Sequence, residues 1–204
     1  GSKIFFKSAI ESVTFEEGIL IEEIPAQAFA SSSIKSVIIP KNVKKINNNA
    51  FRDCLDLSSV EFSCDNVQIM ANVFYNSSLS SLHIGSNISY IGEYAFVGLK
   101  NLNAITVDED NLYYSSIDGV LFSKDGKKLI VMPAGRSGSY EVNKDVEIIG
   151  FGAFENSSLS SVTFENGINL LTIGYRAFYN ATNITSITIP ESVISIDYYA
   201  FAMC

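Results

Sequence analysis

Residues 173–180 read IGYRAFYN, from Ile173 to Asn180. Near copies stand at 91–98 (IGEYAFVG) and 149–156 (IGFGAFEN), and looser ones begin at Ile24 (IPAQAFAS), Ile46 (INNNAFRD), Ile69 (IMANVFYN) and Ile196 (IDYYAFAM). Aligned on their phenylalanines, the seven copies are marked by Phe29, Phe51, Phe74, Phe96, Phe154, Phe178 and Phe201. Neighbours are 22 to 24 residues apart, except that 58 residues separate Phe96 from Phe154. A period in this range marks a solenoid whose repeats cannot bury their apolar faces alone and must stack.

Upstream of each phrase lies a second pattern, apolar-x-x-apolar-x-apolar. It reads Ile34, Val37, Ile39; Leu57, Val60, Phe62; Leu79, Leu82, Ile84; and later Ile184, Ile187, Ile189. The last two apolar residues flank one polar residue, which is strand periodicity. Pro40 and Pro190 follow directly and end the strand, because proline donates no ladder bond. A V-x-x-I pair comes next, such as Val43 and Ile46, and the Ala-Phe phrase closes the turn as a short helical or irregular segment. The expected fold is a leucine-rich repeat solenoid, a right-handed superhelix with one parallel strand per repeat, little helix, and each Phe packed on the next. Residues 1–204 are read as a single domain of about seven repeats.

The long interval carries IDGVLFSKDGKKLIVMPAG, residues 117–135. Asp118-Gly119 and Asp125-Gly126 are turn dipeptides. They predict a β-hairpin insert over about 110–143, with strands at Val120 to Ser123 and Lys128 to Met132, and Tyr140 to Val142 as a possible third strand. Taken together, the I-x-x-x-A-F units, the L-x-x-V-x-I-P strands and the insert YYSSIDGVLFSKDGKKL resemble the BspA-like leucine-rich repeat family. The resemblance covers nearly the whole chain. It implies a surface-exposed or secreted protein of a host-associated microbe, with adhesion to host proteins or other cells as its role. It brings no catalytic motif and no ligand residues. Val73 in place of the alanine before Phe74 departs from the family pattern, as does the missing proline in several repeats.

Composition narrows the function classes. The chain of 204 residues is 47% apolar, ample for a core, and its formal net charge is -8. Phosphate backbones are bound through basic patches, so nucleic acid is not an expected partner. No apolar run is long enough to span a bilayer, and no membrane insertion by this segment is expected. The start at Gly1-Ser2 reads as an expression scar, and Cys204 falls in mid-repeat, so a signal or anchor and further chain are expected outside this stretch. Three cysteines cannot form a complete disulfide framework. Cys54 and Cys204 share a column with Ser32, Ser77, Ser157 and Ala181, which suits a tight packing site.

Candidate sites are few. His83, the one histidine, lies between Leu82 and Ile84 and points outward, with Glu61 expected beside it; no nucleophile accompanies the pair. Asp108, Glu109 and Asp110 lack the ligand spacing and turn glycine of a calcium loop, and His and Cys do not cluster as zinc requires. No catalytic, cofactor or metal residues are therefore assigned. Outward strand positions, from Ser12/Thr14 to Ser186/Thr188, are small and mostly neutral and lack hot-spot anchors. Aromatic residues gather elsewhere. Phe151, Tyr175 and Tyr198 stand three places before their phrase phenylalanines and are expected to stack at roughly 5 Å. Tyr199 and Tyr94 stand one place later, and Tyr75 and Tyr179 follow their Phe. Phe151, Tyr175, Tyr179, Tyr198 and Tyr199 form the candidate ligand-binding ladder; the alternative is that these rings only cover the core. Five N-x-S/T sequons begin at Asn76, Asn87, Asn156, Asn180 and Asn183, about as many as the Asn- and Ser-rich composition produces by chance. The expected function is a non-enzymatic surface or secreted binding module for a host extracellular protein or glycan. The competing expectation is a structural spacer without a ligand of its own.

Overall fold

The computed structural model describes residues 2–64 and 66–204. The chain winds as a β-solenoid of short parallel strands, and no helix occurs among the described residues. One row of strands is the expected one. β2 (Ser36–Ile39) pairs with β4 (Ser59–Phe62), and β6 (Leu82–Ile84) with β8 (Ile105–Val107), all parallel. Val37 and Ile39 face in while Ser36 and Ile38 face out, as the alternation in sequence requires. A second row was not foreseen. The isoleucine that opens each phrase lies in a very short strand, giving a ladder of β1 (Glu23–Ile24), β3 (Lys45–Ile46), β5 (Val67–Ile69) and β7 (Ile88–Ile91). Two-residue strands carry too little periodicity to be read from sequence.

The Ala-Phe phrases form turns. In every complete copy, the residues two before and two after the phenylalanine have positive φ. The first set runs from 54° to 62° (Gln27, Asn49, Asn72, Tyr94, Gly152, Arg176, Tyr199), and the second from 54° to 78° (Ser31, Asp53, Asn76, Gly98, Asn156, Asn180, Met203). Left-handed backbone favours Gly, Asn and Asp, which accounts for much of the Asn content of these columns. The phenylalanine between them is driven into the core. Its N–H donates to the carbonyl before the next phenylalanine, as in Phe51 to Val73 at 2.9 Å and Phe154 to Ala177 at 2.7 Å.

The rings stack in two columns. Phe5, Phe29, Phe51, Phe74 and Phe96 lie 5.0 to 5.6 Å apart, with Phe5 an extra first rung. Phe154, Phe178 and Phe201 follow at 4.6 and 5.0 Å. The insert separates the columns. It is a three-stranded antiparallel meander of β9 (Tyr114–Ile117), β10 (Val120–Ser123) and β11 (Lys128–Val131). β9 was not anticipated, although the Asp118-Gly119 turn joins it to β10. The outer strand β11 then pairs in parallel with β13 (Ile148–Ile149), and the ladder continues through β15 (Thr172–Ile173) to β16 (Ser195–Ile196). Met132 donates its N–H to Ala153 at 2.8 Å and so takes the slot that phenylalanine fills elsewhere. The segment around Tyr140 does not extend the hairpin. As β12 (Gly138–Val142) it pairs in parallel with β14 (Leu159–Phe164) in the outer row. Its Tyr140 and Val142 are inward-facing solenoid residues, buried in the second core cluster.

β10 forms a wall between two cores. Leu121 belongs to the cluster of the first five turns, while Val120 and Phe122 belong to the cluster of the later ones. Where the next ladder strand would meet β7, the hydroxyl of Tyr114 accepts the N–H of Ile91 at 2.7 Å. Tyr114 is itself buried, so Tyr114→Phe leaves that amide without its partner. The expected loss is about 1–3 kcal/mol in chemical denaturation; no change would show that water takes the hydroxyl's place.

Candidate functional site

The candidate aromatic residues occupy one side of the solenoid, formed by the phrase turns next to the insert. Phe151 meets Tyr175 edge-to-face at 6.4 Å, and Tyr175 meets Tyr199 edge-to-face at 6.0 Å. Tyr94 adds a fourth ring, perpendicular to Tyr175 at 6.5 Å. Tyr199 thus takes the place in the array that the spacing assigned to Tyr198. The phrase turns are not strands, so strand spacing does not apply to them, and perpendicular rings at about 6 Å satisfy the aromatic quadrupole better than parallel ones. Tyr198 projects into solvent at 84% exposure and Tyr199 at 62%, whereas Tyr175 is half-buried. Tyr179 lies under the guanidinium of Arg176, 3.7 Å from its ring centre.

A second group of residues, not singled out from sequence, braces this face. The Tyr75 hydroxyl donates to Oε1 of Glu155 at 2.9 Å, across 80 residues of chain. The Tyr94 hydroxyl donates to the carbonyl of Tyr175 at 3.3 Å, across 81. Each bond skips a phrase whose matching residue is small: Val97 lies between Tyr75 and Glu155, and Gly152 between Tyr94 and Tyr175. Burial, with the charge of Glu155 nearby, pushes the Tyr75 phenol up to about 12, and the Tyr94 phenol is raised for the same reasons. Both hydroxyls stay protonated as donors at physiological pH. The Glu155 side chain has no exposed surface, and burial raises its carboxyl above the usual range against the opposing pull of Tyr75 and Arg176. Gly152 was the available signal: small residues flanked by tyrosines in neighbouring repeats leave room for rings to reach across. A cleft of about 170 Å³ adjoins this seam, lined in part by Gly92, Tyr94, Tyr114, Lys128 and Phe151.

The partners that His83 bonds lie in the following repeat rather than at Glu61. β6 pairs with β8, so the ring bonds Thr106 through Nδ1 at 2.9 Å and Asp108 through Nε2 at 3.1 Å. Asp108 also accepts the Ser86 N–H at 2.9 Å, and the run Asp108 to Asp110 is a turn. Among the described residues, no group of three or more His, Cys, Asp or Glu side chains is placed to hold a metal ion. Cys54 is buried and donates to the Phe29 carbonyl at 3.0 Å; Cys204 bonds the Phe178 carbonyl at 3.1 Å in the same way but is exposed. The sequon amides also bond within the solenoid: Asn76 donates to Asp53, Asn87 to the Cys64 carbonyl and Asn180 to Asn156. No helix among the described residues is long and apolar enough to cross a membrane.

Stacked 22- to 24-residue turns, short parallel strands and inward phenylalanine columns define a leucine-rich repeat protein. The chain belongs to the family described as the BspA type leucine rich repeat region, matched by six copies over residues 22–134 and 136–204. It is similar to the crystal structure of the pneumococcal vaccine antigen PcpA, with a TM-score of 0.84 and 29% identity over 92% of this chain. That alignment covers 47% of the antigen, so this chain spans about half of its length. A leucine rich cell surface protein from Faecalibacterium prausnitzii shares the fold, with a TM-score of 0.73 and 22% identity over 99% of this chain and 67% of that one. So does a leucine-rich repeat protein from Eubacterium ventriosum, with a TM-score of 0.68 and 23% identity over 85% and 53%. Among curated proteins none matches significantly.

Proposed function

We propose that this domain is a non-enzymatic binding module displayed on a cell surface or secreted, and that it contacts a host extracellular protein through Phe151, Tyr175, Tyr179, Tyr198 and Tyr199. Surface display is supported by the family and by the likeness to a pneumococcal antigen. The observation that carries the site is the exposure of Tyr198 and Tyr199 beside the half-buried Tyr175. Tyrosine supplies large amphipathic contact area with little entropy to lose, and such anchors carry much of the energy of protein interfaces.

The edge-to-face packing favours a protein over a glycan partner. A sugar ring stacks on an open aromatic face, but in this array each edge-to-face contact among Phe151, Tyr175 and Tyr199 sets the edge of one ring against the face of its neighbour and so covers part of it. Arg176 covers a face of Tyr179. Edges and hydroxyls remain to meet side chains and backbone. The test is binding of the domain to immobilised matrix glycoproteins and to free glycans, at low and physiological salt. Saturable protein binding is expected, and Tyr175→Ala/Tyr198→Ala should weaken it at least about tenfold, a loss of 1.4 kcal/mol or more. Binding to glycans alone would overturn the choice of partner.

The second reading is a structural spacer within a larger surface protein. It is favoured by the small, neutral outer strand face and by the part Tyr175 plays in bracing the seam. Uniformly flat responses to the panel would support it.

A further inference from the structure

We propose that Tyr75, Glu155 and Arg176 form a clasp that holds the turns before and after the insert in one orientation, and that the clasp tightens when Glu155 takes up a proton. This goes beyond the binding role and does not depend on it. The insert replaces one regular layer: Met132 stands in the phenylalanine slot and β10 divides the core in two. The apolar core is therefore divided at this point, and a solenoid held by neighbour contacts has fewest of them there. The hydroxyls of Tyr75 and Tyr94 cross the gap and tie the earlier turns to Glu155 and Tyr175.

The clasp is incompletely satisfied. Oε1 of Glu155 accepts the Tyr75 hydroxyl at 2.9 Å and lies 3.4 Å from Nη2 of Arg176. Oε2 of Glu155 and Nε of Arg176 are both buried, with no hydrogen-bond partner. The two-point pairing that an arginine offers a carboxylate is thus not made, and Arg176 is held instead against Tyr179. A buried carboxylate with one bare oxygen is costly, and neutralising it removes that charge penalty, while Arg176 gives up only a 3.4 Å contact and keeps partial exposure and the Tyr179 ring. The bare Oε2 can take the proton while Oε1 keeps the Tyr75 bond. The groups facing Glu155 are Tyr75 and Tyr94 from the earlier turns and Arg176 from the following one, with Arg52 stacked behind Tyr75 at 4.9 Å.

The sign follows from linkage. When the clasp opens, Glu155 is solvated and returns to about 4.5; when closed, its carboxyl is held above that. The closed form therefore binds the proton more tightly, and closure is favoured as pH falls through the raised value towards 4.5. This is the reverse of the usual salt-bridged carboxylate, whose contribution is lost in acid.

Spin labels at exposed Ser80 and Thr185 flank the seam and report its geometry as a distance distribution. In the parent protein the distribution should narrow as pH falls from neutral towards the ordinary glutamate value. Amide exchange at Ile91, whose N–H meets the Tyr114 hydroxyl at the break, should slow over the same range once corrected for intrinsic rate. Glu155→Gln should abolish both responses, and Tyr75→Phe should leave the distribution broad at both pH values. The ¹³C shift of the Glu155 carboxyl gives its titration directly. A Glu155 midpoint at or below the ordinary glutamate value, or a pH response unchanged in Glu155→Gln, would overturn the proposal. So would a parent distribution equally narrow at both pH values and unaltered by Tyr75→Phe.

Discussion

Phe178→Ala is expected to lower stability by about 3–5 kcal/mol, the cost of deleting a large side chain from a core that cannot collapse around the void. The ring is 1% exposed and lies between Phe154 at 4.6 Å and Phe201 at 5.0 Å. Both neighbours lose a stacking partner, and the backbone on either side is pinned. Phe178 donates its N–H to Ala200 at 2.7 Å, and Ala177 accepts from Phe154 at the same distance. The turn cannot move in to fill the space without breaking these bonds. Chemical denaturation measures the loss as a shift in midpoint at constant slope. A smaller effect is expected for Phe201→Ala, because Phe201 is only half-buried at the end of its column. A Phe178→Ala effect below about 1 kcal/mol would show that the phenylalanine column does not carry the core.

Gly152→Ala is the second large effect, expected at about 2–5 kcal/mol. Two independent costs combine. The backbone at Gly152 has φ +62°, where an L-residue pays roughly 1–2 kcal/mol. A Cβ there would also lie 2.6 Å from a Tyr94 ring carbon, and overpacking of this kind costs about 1–3 kcal/mol. The two are separable. Tyr94→Ala removes the ring, so in the double variant only the backbone cost should remain. A double-mutant cycle should therefore show a coupling of at least about 1 kcal/mol. Additive effects would mean that Tyr94 moves aside freely. The same cycle bears on the candidate site, since displacing Tyr94 also removes its ring from Tyr175 and its hydroxyl from the Tyr175 carbonyl.

Much of the fold was legible because repetition is a strong signal. The phrases' 22- to 24-residue spacing predicts one phenylalanine column whatever the local propensities, and the structure stacks the rings, but in two columns that the insert separates. The alternation of Val37, Ile38 and Ile39 was enough to identify an outer strand with Ile38 facing out. Features that depend on one or two residues escaped. The second ladder consists largely of two-residue strands, and Tyr140 looked like part of the hairpin because its alternation is the same in either setting. The bonding partners of His83 were not legible, because the column of outward residues does not say whether the ring turns to the repeat before it or to the one after, where Thr106 and Asp108 take it.

For the candidate face, position in the phrase showed which tyrosines share a side of the solenoid. It did not show their angles. Whether Tyr198 or Tyr199 joins Tyr175 depends on the left-handed backbone at Tyr199 and on the preference of rings for perpendicular contact. The buried Glu155 was invisible for a related reason. Its column holds Ala30, Arg52, Tyr75, Val97, Tyr179 and Ala202, and nothing in that mixture marks a carboxylate as buried. By itself, the sequence determined the period, the phenylalanine core, the outer strands and the presence of an insert, because each of these is repeated or carried by strong turn chemistry. Only the tertiary structure decided how the solenoid bridges its interruption, because Tyr75 reaches Glu155, and Tyr94 reaches Tyr175, only once some 80 intervening residues have been folded out of the way.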